Sequence, residues 1–153
     1  MALKSYIITN KRNGKAITAK EDGSVVQETT NYSDSQLWSP EKLTGKVKVV
    51  NKATGKNLDL MYGGTESGTT LNTWDDVESD SQLWQFKTAS KGYKKIFNAS
   101  AEKPIDVVML SDEDGAFVQI WDVIGGDNQE WKLEEYPAKK PAVKRAKKTA
   151  VKK

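Results

Sequence analysis

Apolar residues along this chain recur at a period of two in short bursts. Before the last seventeen residues, nothing holds a helical period for more than a turn or two. Val47, Val49, Leu58 and Leu60 alternate with polar neighbours around Ala53-Thr54-Gly55-Lys56, the pattern of a hairpin. Ile7, Ala16 and Ile17 flank Asn13-Gly14, a strong signal for a tight turn between strands. Gly63-Gly64, Ser67-Gly68, Asp114-Gly115 and Gly125-Gly126 punctuate the remainder. Short strands and tight turns throughout predict an all-β chain.

The same grammar occurs three times. Gln36-Leu37-Trp38, Gln82-Leu83-Trp84 and Gln129-Glu130-Trp131 share a Gln-x-Trp, spaced 46 and 47 residues apart. An apolar-Asn start precedes each, at Asn10, Asn51 and Asn98, with Asn-to-Gln distances of 26, 31 and 31 residues. Repeats two and three thus align without a gap, and repeat one is five residues shorter. Each unit predicts about four strands and is too small to bury its apolar face alone, so three must close on one core. The expected layout is one domain over 1–136, with repeats at about 5–40, 46–88 and 93–136, followed by a tail at 137–153.

Charge separates those two parts. The chain of 153 residues has 24 Lys and Arg against 21 Asp and Glu, a net +3. Eight of the cations and none of the anions lie in 137–153, leaving 16 against 21, or −5, for residues 1–136. There is no Cys and no His, which removes disulfides, thiol nucleophiles, the commonest general base and the commonest metal ligand. Asp112-Glu113-Asp114-Gly115 begins like a calcium loop but lacks the ligands that should follow. No cofactor, metal or catalytic constellation is expected, and binding is favoured over enzymatic activity. Neither a leader-like apolar run nor an 18-residue apolar span is present, so the expected location is cytoplasmic, with nuclear entry or unconventional export as alternatives, and no membrane span is expected.

Three repeats of this length, each ending in Gln-x-Trp, make residues 5–136 resemble the ricin B-chain-type β-trefoil lectins. The resemblance implies a pseudo-three-fold β-trefoil of twelve strands and up to three shallow sugar sites. Trp38, Trp84 and Trp131 are expected to be core residues. Trp74 and Trp121 form a different pair: each lies eight residues before its repeat's Gln and fifteen after an Asp, Asp59 or Asp106. An aromatic ring can stack on the C–H face of a galactose-like sugar, and a carboxylate can accept from two adjacent hydroxyls. Side-chain amides supply donors and acceptors for the others.

Repeat three has the full set that the resemblance implies: Asp106, Gln119, Trp121, Asn128 and Gln129. Repeat two keeps Asp59, Trp74 and Gln82, but Asn72 stands where Gln is usual and Ser81 where Asn is usual, so a weaker or altered site is expected. Repeat one has Thr18 in the Asp position and Thr29 near the platform position, and is expected to bind no sugar. The function implied is recognition of galactose- or N-acetylgalactosamine-type glycan ends through repeats two and three.

The tail brings in a second class of partner. Lys139, Lys140, Lys144, Arg145, Lys147, Lys148, Lys152 and Lys153 stand among Ala and Pro with nothing large to bury, which predicts disorder when free. Its composition resembles linker-histone tails. Such a segment favours phosphate backbones and other polyanions without reading sequence. The alternative function is therefore a nucleic-acid or chromatin-associated protein acting through the tail, with the trefoil as a protein-contact scaffold.

Overall fold

The structure is a computed structural model that describes residues 4–137. Twelve strands follow one another: β1 (Tyr6–Asn10), β2 (Ala16–Ala19), β3 (Val25–Glu28), β4 (Leu37–Pro40), β5 (Val49–Asn51), β6 (Asn57–Leu60), β7 (Leu71–Trp74), β8 (Trp84–Thr88), β9 (Lys94–Asn98), β10 (Ile105–Val107), β11 (Val118–Ile120) and β12 (Trp131–Glu135). Only short 3-10 turns interrupt them, and among the described residues there is no α-helix.

The outer strands of each repeat form a barrel. β5, β4, β1, β12, β9 and β8 pair in that order, all antiparallel. The ring closes where Val47 and Trp84 exchange backbone hydrogen bonds at 2.9 and 2.8 Å. The inner strands form three hairpins, β2–β3, β6–β7 and β10–β11. Bridges at Ser24–Asn72, Val26–Phe117 and Thr70–Gln119 join these hairpins into a triangular cap. Six barrel strands and three capping hairpins on a pseudo-three-fold axis are a β-trefoil.

The core lies on that axis. Trp38, Trp84 and Trp131 are fully buried among Ile8, Ile17, Leu58, Leu71, Ile96 and Ile105. Each indole N–H donates to a backbone carbonyl of its own repeat's cap, at Ile17 (2.9 Å), Leu58 (3.0 Å) and Ile105 (3.0 Å). A large ring thereby fills the core while its one polar atom stays satisfied. In each repeat the accepting carbonyl belongs to the residue just before Thr18, Asp59 or Asp106.

The repeat-initial Asn residues act between repeats. Asn10 Nδ2 donates to Asn128 O, Asn51 Nδ2 to Ser35 O and Asn98 Nδ2 to Ser81 O, at 2.9–3.0 Å. Each also folds its Oδ1 onto amides of its own following turn, at Arg12, Ala53 and Ser100. One buried side chain thus closes a hairpin and ties it to the Gln-x-Trp turn of the neighbouring repeat.

Candidate functional site

In repeat three, β10 and β11 lie in register, with Asp106 opposite Gln119. Gln119 Nε2 donates to Asp106 Oδ1 at 2.9 Å, and Gln129 Nε2 donates to Oδ2 at 3.0 Å. The carboxylate is fixed from both sides by amides, with no cation paired to it among the described residues. Burial holds its pKa above the ordinary 3.8, and the two amide hydrogen bonds offset only part of that rise. Asp106, Gln119, Trp121 and Asn128 line a cleft of about 320 Å³ together with Met109 and Ile124. Trp121 is 39% exposed, and the buried Oδ1 of Asn128 has no hydrogen-bond partner. An unpaired acceptor at a cleft wall is a polar group with capacity for a ligand donor.

Gln129 stands behind this cleft rather than in it. It is fully buried, and Oε1 accepts from Ile124 N (3.1 Å) while Nε2 also donates to Asp122 O (2.8 Å). Gln82 has the same three duties in repeat two, toward Asp59 Oδ2 (3.0 Å), Val77 N (3.1 Å) and Asp75 O (2.7 Å). Gln36 has them in repeat one, toward Thr18 Oγ1, Asn31 N and Thr29 O. Gln82 and Gln129 are therefore positioning residues: they orient an acidic side chain and pin the loop that follows the platform.

Repeat two builds a related cleft of about 380 Å³ from Asp59, Asn72, Trp74, Ser79 and Ser81. Trp74 is 54% exposed. The shorter Asn72 makes no hydrogen bond to Asp59, although the two are paired across β6–β7. Asp59 Oδ1 accepts instead from Leu60 N at 2.7 Å, and Asn72 Oδ1 is left buried and unpaired. Ser81, in the place of Asn128, is turned toward Ser79, with their hydroxyls 3.0 Å apart.

Repeat one lacks the site for visible reasons. Thr18 pairs with Val26 across β2–β3, so Val26 takes the place of Gln119. Register puts Glu28, not Thr29, at the platform position, and Glu28 pairs with Lys20 at 2.8 Å. The shortfall of five residues falls wholly between β2 and β3, where a tight turn at 20–24 replaces a longer excursion.

That excursion is the wall that sequence reasoning missed. After β6 and β10 the chain makes 3-10 turns at Met61–Gly63 and Val108–Leu110 that line the clefts together with the Trp platforms. Tyr62 and Met109 hold equivalent positions at φ 54° and 57°, in the left-handed region that non-Gly residues rarely adopt. They are 100% and 90% exposed. The signal was an apolar run that outlasts its strand, Leu60-Met61-Tyr62 and Val107-Val108-Met109-Leu110. The predicted tail cations at 139–153 lie outside the described residues.

A buried carboxylate held by a buried glutamine and sharing a cleft with an exposed indole, in two of three cap hairpins, defines a class of protein: β-trefoil modules with shallow cap clefts. The chain belongs to the ricin-type beta-trefoil lectin domain-like family, whose model it matches over residues 2–74 and 80–145. Among solved structures it is similar to the designed three-fold symmetric protein ThreeFoil, with 30% identity and a TM-score of 0.81 over 84% of this chain and 96% of that one. An exo-beta-1,3-galactanase from Clostridium thermocellum shares 34% identity, with a TM-score of 0.80 over 85% of this chain and 30% of the enzyme. The ricin B-like lectin of Macrolepiota procera, solved with lactose, has the same fold at 20% identity, with a TM-score of 0.77 over 87% of this chain and 96% of the lectin. No curated protein matches the chain.

Proposed function

We propose that this chain is a carbohydrate-binding module that takes galactose- or N-acetylgalactosamine-type glycan ends in the clefts of repeats two and three. The observation that carries this reading is the set converging on one cleft: the braced Asp106 carboxylate, the exposed Trp121 ring and the unpaired Asn128 Oδ1. The ring stacks on the apolar sugar face and the carboxylate accepts from vicinal hydroxyls. Asn128 receives a further hydroxyl. Each cleft is lined by a single carboxylate, whereas glycosidic hydrolysis generally uses two, so binding without cleavage is the reading. The galactanase and the lactose-bound lectin, both acting on or holding galactose-containing sugars, support the galactose-type assignment.

Asp59 and Trp74 give a second, weaker site, because Asn72 leaves Asp59 unbraced on one side. Shallow sites of this kind bind single sugars near millimolar, about −4 kcal/mol. Calorimetric titration with lactose should show two binding events of unequal strength, and Asp106→Ala should remove the stronger one alone. An unchanged titration would overturn the assignment.

A second reading is favoured by one feature, the eight cations and no anion of residues 137–153. Such a segment engages polyanions, nucleic acid included, independently of the clefts.

A further inference from the structure

Ten of the sixteen Lys and Arg side chains in residues 1–136 lie within 4.0 Å of a carboxylate. Among the described residues, the six without one are Lys42, Lys46, Lys87, Lys91, Lys94 and Lys95. They come from two stretches, 42–58 and 81–101, that contain no Asp or Glu at all. The Val47–Trp84 pairing that closes the barrel lays these stretches side by side.

On the outer face of β8–β9, Lys87 stands directly opposite Lys95, and Gln85 opposite Phe97. Like charges paired across two strands cost stability, a cost that a bound anion would offset. Lys46, Gln85, Lys87 and Phe97 line a groove of about 350 Å³ whose one carboxylate among the described residues, Glu102, forms no ion pair with any of them.

We propose that this face is a second, charge-driven site for an anionic polysaccharide carrying sulfate or carboxylate groups. It sits on a body of net charge −5, so segregation and not overall basicity creates it. The groove has room for a sugar ring, and the Gln85 amide, without a hydrogen-bond partner among the described residues, is available to a ring hydroxyl. The patch contains lysine and no arginine: separate point charges suit spaced sulfates or carboxylates and provide no bidentate fork. Lys87 Nζ lies 4.1 Å from the centre of the Phe97 ring and covers the face on which a nucleic-acid base would stack. The site uses none of the cap residues, so it stands whether or not the clefts bind galactose.

The test measures binding of the full chain to dextran sulfate across a salt series, with uncharged dextran and duplex DNA as comparisons. Lys46→Gln/Lys87→Gln/Lys95→Gln should weaken dextran sulfate binding about tenfold or more and flatten its salt slope by about three, roughly one per lysine removed. Lys42→Gln/Lys91→Gln, at exposed loop positions, should flatten it by about two. Lys87→Arg/Lys95→Arg and Asp106→Ala should retain binding, and neither lactose nor uncharged dextran should compete. Wild-type affinity and slope in both glutamine variants would overturn the proposal. A larger loss for duplex DNA than for dextran sulfate would overturn the choice of ligand.

Discussion

Asp59 and Asp106 show how one methylene changes a site. Gln119 reaches across its strand pair to Asp106, whereas Asn72 leaves Asp59 to turn back on Leu60 N. Restoring the length should restore the brace. Asn72→Gln is expected to strengthen lactose binding in repeat two several-fold, since a preorganised carboxylate loses less freedom on binding. Calorimetry on the Asp106→Ala background reads that cleft alone, and an unchanged affinity would contradict the explanation. Asp106 also makes a prediction about pH. Because burial raises its pKa above 3.8, acidification should protonate it, and so weaken lactose binding, at a higher pH than for an ordinary Asp. The linked effect on stability runs the other way. The folded state holds this proton more tightly than the unfolded chain, so its contribution is full below 3.8 and is lost as pH rises through the raised value. A tryptophan-emission titration with lactose that stays flat down to pH 4 would contradict this. Asp59, Asp106, Trp74 and Trp121 were legible because two repeats place them at identical offsets. The duties of Gln82 and Gln129 were not, because recurrence in all three repeats marks them as shared without showing that both amide atoms are spent inside the protein.

Hairpins and turns were legible from Asn-Gly and Thr-Gly signals, but their backbone demands become visible only when the repeats are superposed. The fourth residue after each repeat-initial Asn has positive φ: Gly14 at 74°, Gly55 at 71° and Glu102 at 57°. The fourth residue before each Gln-x-Trp Trp's glutamine does the same, with Tyr32, Glu78 and Gly125. Left-handed backbone costs an L-residue about 1–2 kcal/mol, part of which glycine loses again to its freer unfolded chain. Glu102→Gly should therefore stabilise the protein by up to about 1 kcal/mol. Thermal melting checks this: a rise is expected, and a fall would mean that Glu102 makes an interaction of value at that turn. The rim turn at Val108–Leu110 was invisible as an element because its left-handed residues, Met109 and Leu110, carry no turn chemistry in their side chains, whereas at Met61–Gly63 the left-handed Gly63 gave a signal and Tyr62 gave none.

At the scale of the molecule, three-fold repetition gives a stable frame on which the repeats have diverged. One cap hairpin lacks the carboxylate, the indole and the longer excursion, one cleft is partly braced and one is complete. On the function proposed above, two sugar sites on one domain would convert weak single contacts into useful avidity on a multivalent glycan surface. Charge is divided as well, with lysines gathered on the β8–β9 face and beyond residue 137 while the body as a whole is acidic. The net +3 of the chain thus describes neither surface. The central claim is that Asp59 and Asp106 are the ligand groups of two galactose-type sites. It is tested most directly by lactose calorimetry on wild type and on Asp59→Ala/Asp106→Ala, with thermal melting to establish that the variant is folded. The expected result is saturable binding to two sites in the wild type and none in the folded double variant. Equal binding by both proteins, or no binding of lactose by the wild type, would contradict it.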